Sequence, residues 1–231
     1  MTYGLYHSSE RAEARKNIPS IGSSVPSDYI KRVDRIVQRL EDEDYGMAYA
    51  PWNRLMMHGF LASSLGSIVR TYPEDLIFRT KALEILKASY EVVDSEVIRS
   101  SFSASGTIVP YGIIYQAGRL KILEQLAVLD QEHFQEIFFS ACDTTVEILE
   151  NSPRFTAESY AGWGWYVDNA DAYHALWRSD MIREKLGQPK KYTRLINSWI
   201  HELQIHTGNT GLPLAEAYRD GATDDIVNQV R

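Results

Sequence analysis

The chain has 231 residues, of which 44% are hydrophobic, and a formal net charge of -7. A chain of this length and composition can bury a large core, so it is expected to be globular rather than disordered. The acidic balance and the lack of a basic run argue against a nucleic-acid partner. There is no apolar run of about 18 residues, so no membrane span is predicted. There is one cysteine and no secretory signal pattern, so a cytoplasmic location is expected.

Residues 1–26 lack a hydrophobic period and are predicted to form an N-terminal arm. In residues 27–231, apolar residues recur with helical spacing, and prolines, glycines and capping residues divide the pattern into segments. The first predicted helix begins at Ser27. The others span residues 51–70, 74–93, 110–129, 131–150, 168–186 and 190–206. A loop is expected at 100–105, a turn at 207–213 and the start of a last helix at Thr223. No strand is predicted, so the expected fold class is all-α.

Alternate predicted helices begin at Trp52, Pro110, Asp168 and Thr223, which are 58, 58 and 55 residues apart. A period of this size made of paired helices is typical of a helical-hairpin repeat, in which each unit buries its face on its neighbours. A non-repetitive helical bundle is the alternative. In the repeat, alternate helices begin at the same end, so the residues at their starts would surround one cavity.

Aromatic and polar residues gather at or near these predicted helix starts. They are Tyr49, Trp52, Asn53, Tyr111, Trp163, Trp165, Asp168, Asn169 and Glu216. The segment 162–169 is the most distinctive part, because its rings, carboxylate and carboxamide can both stack on and hydrogen-bond a small ligand. Its two tryptophans could alternatively be core residues.

Three ionisable side chains are candidates for catalysis. Asp168 either caps its helix or acts as a general acid or base beside Trp165. His58 is either a satisfied core histidine or a proton shuttle near neutral pH. Glu216 belongs either to a solvated acidic loop or to a pair of carboxylates with Asp168, as glycosyl transfer needs.

Other chemistry is not indicated by the sequence. His201 and His206 lack the i, i+4 spacing of metal ligands, and no glycine-rich phosphate loop is present, so neither a metal nor another cofactor is predicted. Cys142 follows two phenylalanines in an apolar helix and is expected to be an inert structural thiol.

The paired helices, the aromatic segment leading into Asp168 and Asn169, Trp199 and the turn 210–213 resemble the six-hairpin (α/α) toroid superfamily. Within it they are most similar to the linalool dehydratase/isomerase-like branch, over residues 28–231. The resemblance implies a toroid domain at 27–231 and a substrate-binding role for Tyr115, which matches that branch's inner-helix tyrosine. The branch's following histidine and its cysteine pair are not matched.

The resemblance also implies that the domain is incomplete, since six hairpins need more chain than is present. A homo-oligomer or a second chain that completes the toroid is therefore expected. The predicted function is that of an enzyme binding a small hydroxylated, largely apolar ligand in an aromatic-lined cavity at the inner-helix ends. The expected reaction is that of a lyase or isomerase, dehydratase- or cyclase-like, using acid-base catalysis. A glycan-acting hydrolase or lyase and a non-catalytic binding toroid are the alternatives.

Overall fold

The computed structural model describes residues 24–42, 50–103, 112–159, 163–205, 214–218 and 223–225. Eight α-helices lie within these ranges: α1 (Ser27–Glu41), α2 (Ala50–Thr71), α3 (Leu76–Val93), α4 (Glu96–Ser103), α5 (Gly112–Leu129), α6 (Gln131–Glu150), α7 (Tyr166–Lys185) and α8 (Thr193–Ile205). There are also a 3-10 turn (Pro153–Phe155) and three short strands, β1 (Trp163–Trp165), β2 (Leu214–Tyr218) and β3 (Thr223–Asp225). The prediction of a mainly helical protein is confirmed. No helix in these ranges is both long and apolar enough to cross a membrane.

The helix boundaries follow local sequence signals. Helix α6 has its predicted bounds, and α2, α3, α5, α7 and α8 begin and end within three residues of theirs. At the start of α3, the Asp75 carboxylate accepts a hydrogen bond from the Phe78 backbone N–H at 2.9 Å. The same carboxylate accepts a second bond from the Val25 N–H at 2.8 Å, which fixes the entry to α1.

Helix α4 was not predicted, because it overlaps the serine-rich segment that favours a loop. Its apolar residues Ile98 and Phe102 are four positions apart and both are buried. The Phe102 ring lies 5.7 Å from that of Tyr115 in α5. Tertiary packing therefore outweighs the weak helix propensity of the serines.

The C-terminal part of the prediction is wrong in two respects. Thr223 begins β3 rather than a helix, and the described strands form a sheet of order β1-β2-β3 where no strand was expected. Both strand pairs are antiparallel, and the backbone of Glu216 lies opposite that of Trp165. The pairing of β1 with β2 joins segments about 50 residues apart. Such a pairing does not change the local hydrophobic period, so the sequence pattern could not predict it.

Helix α5 is the central helix of the core. One side contributes Ile113, Leu120 and Leu123 to a hydrophobic cluster with α6, α7 and α8. The other side contributes Ile122 and Leu126 to a second cluster with α1, α2, α3 and α4. Six of its apolar residues with helical spacing are buried: Ile113, Ile114, Ala117, Leu120, Leu123 and Leu126. A helix that is apolar on nearly every side is buried on nearly every side.

Helices α2, α5 and α7 lie side by side in the same direction. Their contacts pair residues of rising number on both helices, as parallel directions require. From α2 to α5 the pairs are Leu55 with Gly118 and Arg70 with Gln125; from α5 to α7 they are Lys121 with Asp171 and Glu124 with Arg178. The three helices therefore begin at the same end, as the spacing of their starts predicted.

Candidate functional site

The loop of residues 153–159, here called the α6–β1 loop, holds the starts of α5 and α7 together. The backbone N–H of Ile113 donates to the Glu158 carbonyl at 2.8 Å. From α7, the Asn169 side chain accepts from the Ala157 N–H at 2.8 Å and donates to the Ala157 carbonyl at 3.0 Å. The same amide also donates to the Trp165 carbonyl at 2.8 Å. Both N–H groups of Asn169 are thus used by the backbone, so a ligand would have to displace one of these bonds to use them.

The α6–β1 loop carries backbone strain. Arg154 and Phe155 have φ values of 55° and 57°, in the left-handed region that side chains other than glycine disfavour. The Tyr173 hydroxyl donates to the Phe155 carbonyl at 2.8 Å, which holds the loop against α7. A Cβ atom at Gly164 would lie 2.7 Å from the Ala157 carbonyl oxygen. The close approach of β1 to the loop therefore requires a glycine at this position.

Asp168 lies in the first turn of α7 with only 7% of its surface exposed. It is not the cap of this helix, because Trp165 occupies the N-cap position and no side chain caps there. Its side chain hydrogen-bonds to Ser159 of the α6–β1 loop. The Oδ2 atom is buried without a hydrogen-bond partner. A carboxyl oxygen left unsatisfied in this way is costly, which makes it a candidate for chemistry.

Burial raises the pKa of Asp168 from 3.8 to about 6, and the neighbouring Asp171 carboxylate adds to the rise. The hydrogen bond from Ser159 and the charge of Lys121 both oppose it. Desolvation is the larger effect because it disfavours the ionised form directly. Asp168 therefore changes protonation state close to neutral pH, which a surface aspartate does not do.

Tyr115 does not face this region. Its hydroxyl donates to the Val93 carbonyl at 3.2 Å and lies 3.5 Å from Asp94 Oδ1, at the turn between α3 and α4. The side chain is buried within the hydrophobic cluster that α5 forms with α1, α2, α3 and α4, here called the α1–α4 cluster. Tyr115 thus lies on the side of α5 that meets α3 and α4. Asp168 instead lies next to the α6–β1 loop, which contacts the starts of α5 and α7.

His58 also faces another part of the molecule. It is 5% exposed and lines a cavity formed by α1, α2 and α3. Burial, with a smaller effect of the Arg54 charge, lowers the pKa of His58 from 6.5 to about 4. The imidazole is neutral at neutral pH, and a group with so low a pKa is rarely protonated there. The structure does not bring His58 together with Asp168 as a catalytic pair.

The remaining predicted site residues are described only in part. Trp52 packs against the α1–α4 cluster, and Asn53 is half-buried on α2. Tyr49 and Tyr111 lie outside the described residues, as do the side chains of Trp163 and Glu216. The backbone register nevertheless places Glu216 opposite Trp165. Trp165 lies three residues before Asp168 in the chain. Glu216 is therefore the predicted second carboxylate whose chain segment reaches this end of α7.

Charged and aromatic residues that were not predicted line a cavity of about 500 Å³ between α2, α5 and α7. They include Phe60, Arg70, Lys121, Glu124, Asp171, Trp177 and Arg178. Two of these residues, Lys121 and Asp171, also influence the ionisation of Asp168, which is not itself among the lining residues. We call this cavity the inner groove. Its sequence signal is the presence of the charged residues Lys121 and Glu124 inside a mainly apolar helix.

The inner groove is preorganised by polar contacts between its helices. Glu124 is 4% exposed and accepts a bond from Arg178 Nε at 2.7 Å. Lys121 pairs with Asp171 at 2.5 Å and lies 5.3 Å from the centre of the Phe60 ring. The Phe60 and Trp177 side chains remain 56% and 46% exposed, respectively. The groove therefore offers both hydrogen-bonding groups and open aromatic faces to a ligand.

Cys142 is fully buried, and burial raises the pKa of its thiol. Its surroundings are those of an unreactive thiol, as predicted from its neighbours. In the part of the chain that the structure describes, no three His, Cys, Asp or Glu side chains are grouped closely enough to hold a metal ion.

No protein-family model matches this chain, and no curated protein matches it.

Proposed function

We propose that this chain is an acid-base enzyme in which Asp168 exchanges a proton with a small hydroxylated substrate, in a dehydration or isomerisation of the lyase/isomerase type. The observation that carries the proposal is the buried Asp168 carboxyl with its unpartnered Oδ2 atom. Its pKa of about 6 gives it substantial populations of both protonation states near neutral pH. A general acid works best when its pKa is close to the working pH.

In a dehydration, protonated Asp168 gives its proton to the substrate hydroxyl, the C–O bond breaks, and water leaves. Loss of a proton from the adjacent carbon then completes the double bond. The Asp168 carboxylate left by the first step is a base that can accept this proton and return to its starting form. The neighbouring Lys121 charge stabilises that transient carboxylate.

The common direction of α2, α5 and α7 supports a toroid-like arrangement of helical hairpins around the site. We propose that the described hairpins belong to such an arrangement. The position of Glu216 opposite Trp165 supports its inclusion in the site as a second carboxylate.

A glycan-acting enzyme is the second candidate, and the inner groove is the observation that favours it. Charged side chains beside the open faces of Phe60 and Trp177 suit a polyhydroxylated ligand, since sugars bind by hydrogen bonds and by stacking on rings. In that case protonated Asp168 would protonate the glycosidic oxygen, and Glu216 would be the second carboxylate.

The test is a substrate panel with the Asp168→Asn variant. Purified protein is incubated with ten-carbon allylic alcohols and with oligosaccharides, and alkene products and new reducing ends are measured. On the substrate that reacts, Asp168→Asn should lower the turnover rate by about 10²- to 10⁴-fold, because Asn has no exchangeable carboxyl proton.

The control for this test is Asp28→Asn, which removes an exposed carboxylate of α1 and should leave the rate unchanged. An Asp168→Asn protein that keeps its full rate would show that Asp168 moves no proton. Turnover of the alcohols alone, or of the oligosaccharides alone, decides between the two candidate functions.

A further inference from the structure

A second cavity, of about 410 Å³, lies between α1, α2 and α3. Most of its wall is aliphatic, with Val37, Leu40, Leu61, Ile85 and Val92 among its lining residues. The volume is within the range of about 300 to 1,000 Å³ that is common for small-molecule sites. The inner groove is lined by other residues, from α2, α5 and α7, so the two cavities are distinct.

His58 of α2 is, with Ser89 of α3, one of the two buried polar residues that line this cavity. Only 5% of the His58 surface is exposed, and its Nδ1 atom is buried without a hydrogen-bond partner. A buried polar group normally finds a partner, so this histidine needs another explanation. Since the imidazole is neutral, it offers one donor and one acceptor to a molecule in the cavity.

The charged residues around the cavity disfavour the binding of an anionic ligand. Arg54 on α2 contributes one positive charge, whereas Glu41 on α1 and Glu84 on α3 contribute two negative charges. Both glutamates are exposed and belong to the solvent-facing part of the lining. A ligand carboxylate would meet their repulsion, whereas a neutral polar group would not.

We propose that the cavity between α1, α2 and α3 is a second binding site, for a neutral molecule with an aliphatic body and one hydroxyl or carbonyl group that hydrogen-bonds to His58. The aliphatic wall buries the body of the ligand, which provides most of the binding free energy. The single hydrogen bond orients the ligand and satisfies a histidine that is otherwise unsatisfied. This proposal is independent of any reaction at Asp168.

The test is an NMR titration of the intact chain with 1-octanol, and with octanoate as the anionic comparison. The His58 imidazole signals are identified by their loss in His58→Gln. Octanol should shift the His58 signals in a saturable manner, and octanoate should bind at least tenfold more weakly because of Glu41 and Glu84.

A cavity-filling variant locates the binding. Ala88 of α3 lines the cavity and is exposed, so Ala88→Leu should occupy part of its volume without disturbing the core and weaken octanol binding at least tenfold. Thr80→Leu adds a leucine at an exposed position of the same helix outside the lining and should leave binding unchanged. The proposal is overturned if octanol leaves the His58 signals unshifted, if octanoate binds as tightly as octanol, or if both variants weaken binding equally.

Discussion

Asp168 differs from an ordinary surface aspartate because folding removes its carboxyl from water. The unfolded chain ionises this group near pH 3.8, whereas the folded protein holds its proton until about pH 6. The folded state therefore binds more protons than the unfolded state between these two pH values. The contribution of Asp168 to stability is therefore fully present below the lower pKa and is lost as the pH rises through the higher one.

Asp168→Asn should remove this pH dependence. A difference of about 2 pKa units corresponds to about 3 kcal/mol, so the stability of the variant relative to the native protein should rise by about that amount between pH 3 and pH 8. Urea unfolding of both proteins at several pH values measures it. Parallel stability curves for the two proteins would mean that the pKa of Asp168 is not raised.

Asn169, next to Asp168, has a structural role, because its side chain bridges backbone groups of Ala157 and Trp165. Asn169→Ala leaves the buried Ala157 N–H and two carbonyl groups without their partner, and each unsatisfied group costs about 1 to 3 kcal/mol. We expect a loss of at least about 2 kcal/mol in the free energy of unfolding. The control is Asn197→Ala at an exposed position of α8, which should change stability by less than about 0.5 kcal/mol. Equal losses in the two variants would contradict the bridging role of Asn169.

At the scale of elements, the α6–β1 loop determines how α5 and α7 meet. Gly112, the first residue of α5, has φ of 70°, and a Cβ atom there would lie 2.8 Å from the Ser159 carbonyl oxygen. The neighbouring Ile113 N–H is bonded to the same loop. The glycine therefore permits both the backbone turn and the close approach of the loop.

Gly112→Ala can be compared with Gly187→Ala, because Gly187 has φ of 71° but no atom within 4 Å of the position that a methyl group there would take. Both variants incur the left-handed penalty of about 1 to 2 kcal/mol. Only Gly112→Ala adds a clash with backbone, so its loss of stability should be larger by about 1 to 3 kcal/mol. Thermal unfolding of the two variants measures the difference, and equal losses would show that the loop can move away.

At the scale of the whole molecule, α5 joins the two hydrophobic clusters, so its contacts set the distance between the two halves of the core. Gly118 of α5 lies close to Leu55 of α2. A Cβ atom on it would lie 2.6 Å from Leu55 Cδ1, in a fully buried position.

Gly118→Ala should destabilise the protein by about 1 to 2 kcal/mol, since overpacking of the α2–α5 contact exceeds the gain in helix propensity. Gly59→Ala is the matched control on the facing helix. Its Cβ would lie at an ordinary 3.5 Å from Lys121, so the helix propensity should raise stability by about 0.5 to 1 kcal/mol. Denaturant unfolding checks both signs, and a stabilising Gly118→Ala would refute the close packing of the two helices.

The sequence by itself determined most of the described helices, including the start of α7, where Asp168 lies. Caps such as Asp75, helix-ending prolines and apolar periods are local, and they specify where a helix begins and which side of it is apolar.

Only the tertiary structure decided what each candidate side chain faces. His58 and Tyr115 lie on helices whose exposed and buried sides depend on which neighbours pack there, and those neighbours are distant in the chain. The same holds for β1 pairing with β2, for the inner groove and for the pKa of Asp168. Strand pairing, cavities and desolvation arise from contacts between remote segments, whereas a sequence pattern reports only on residues that are near one another along the chain.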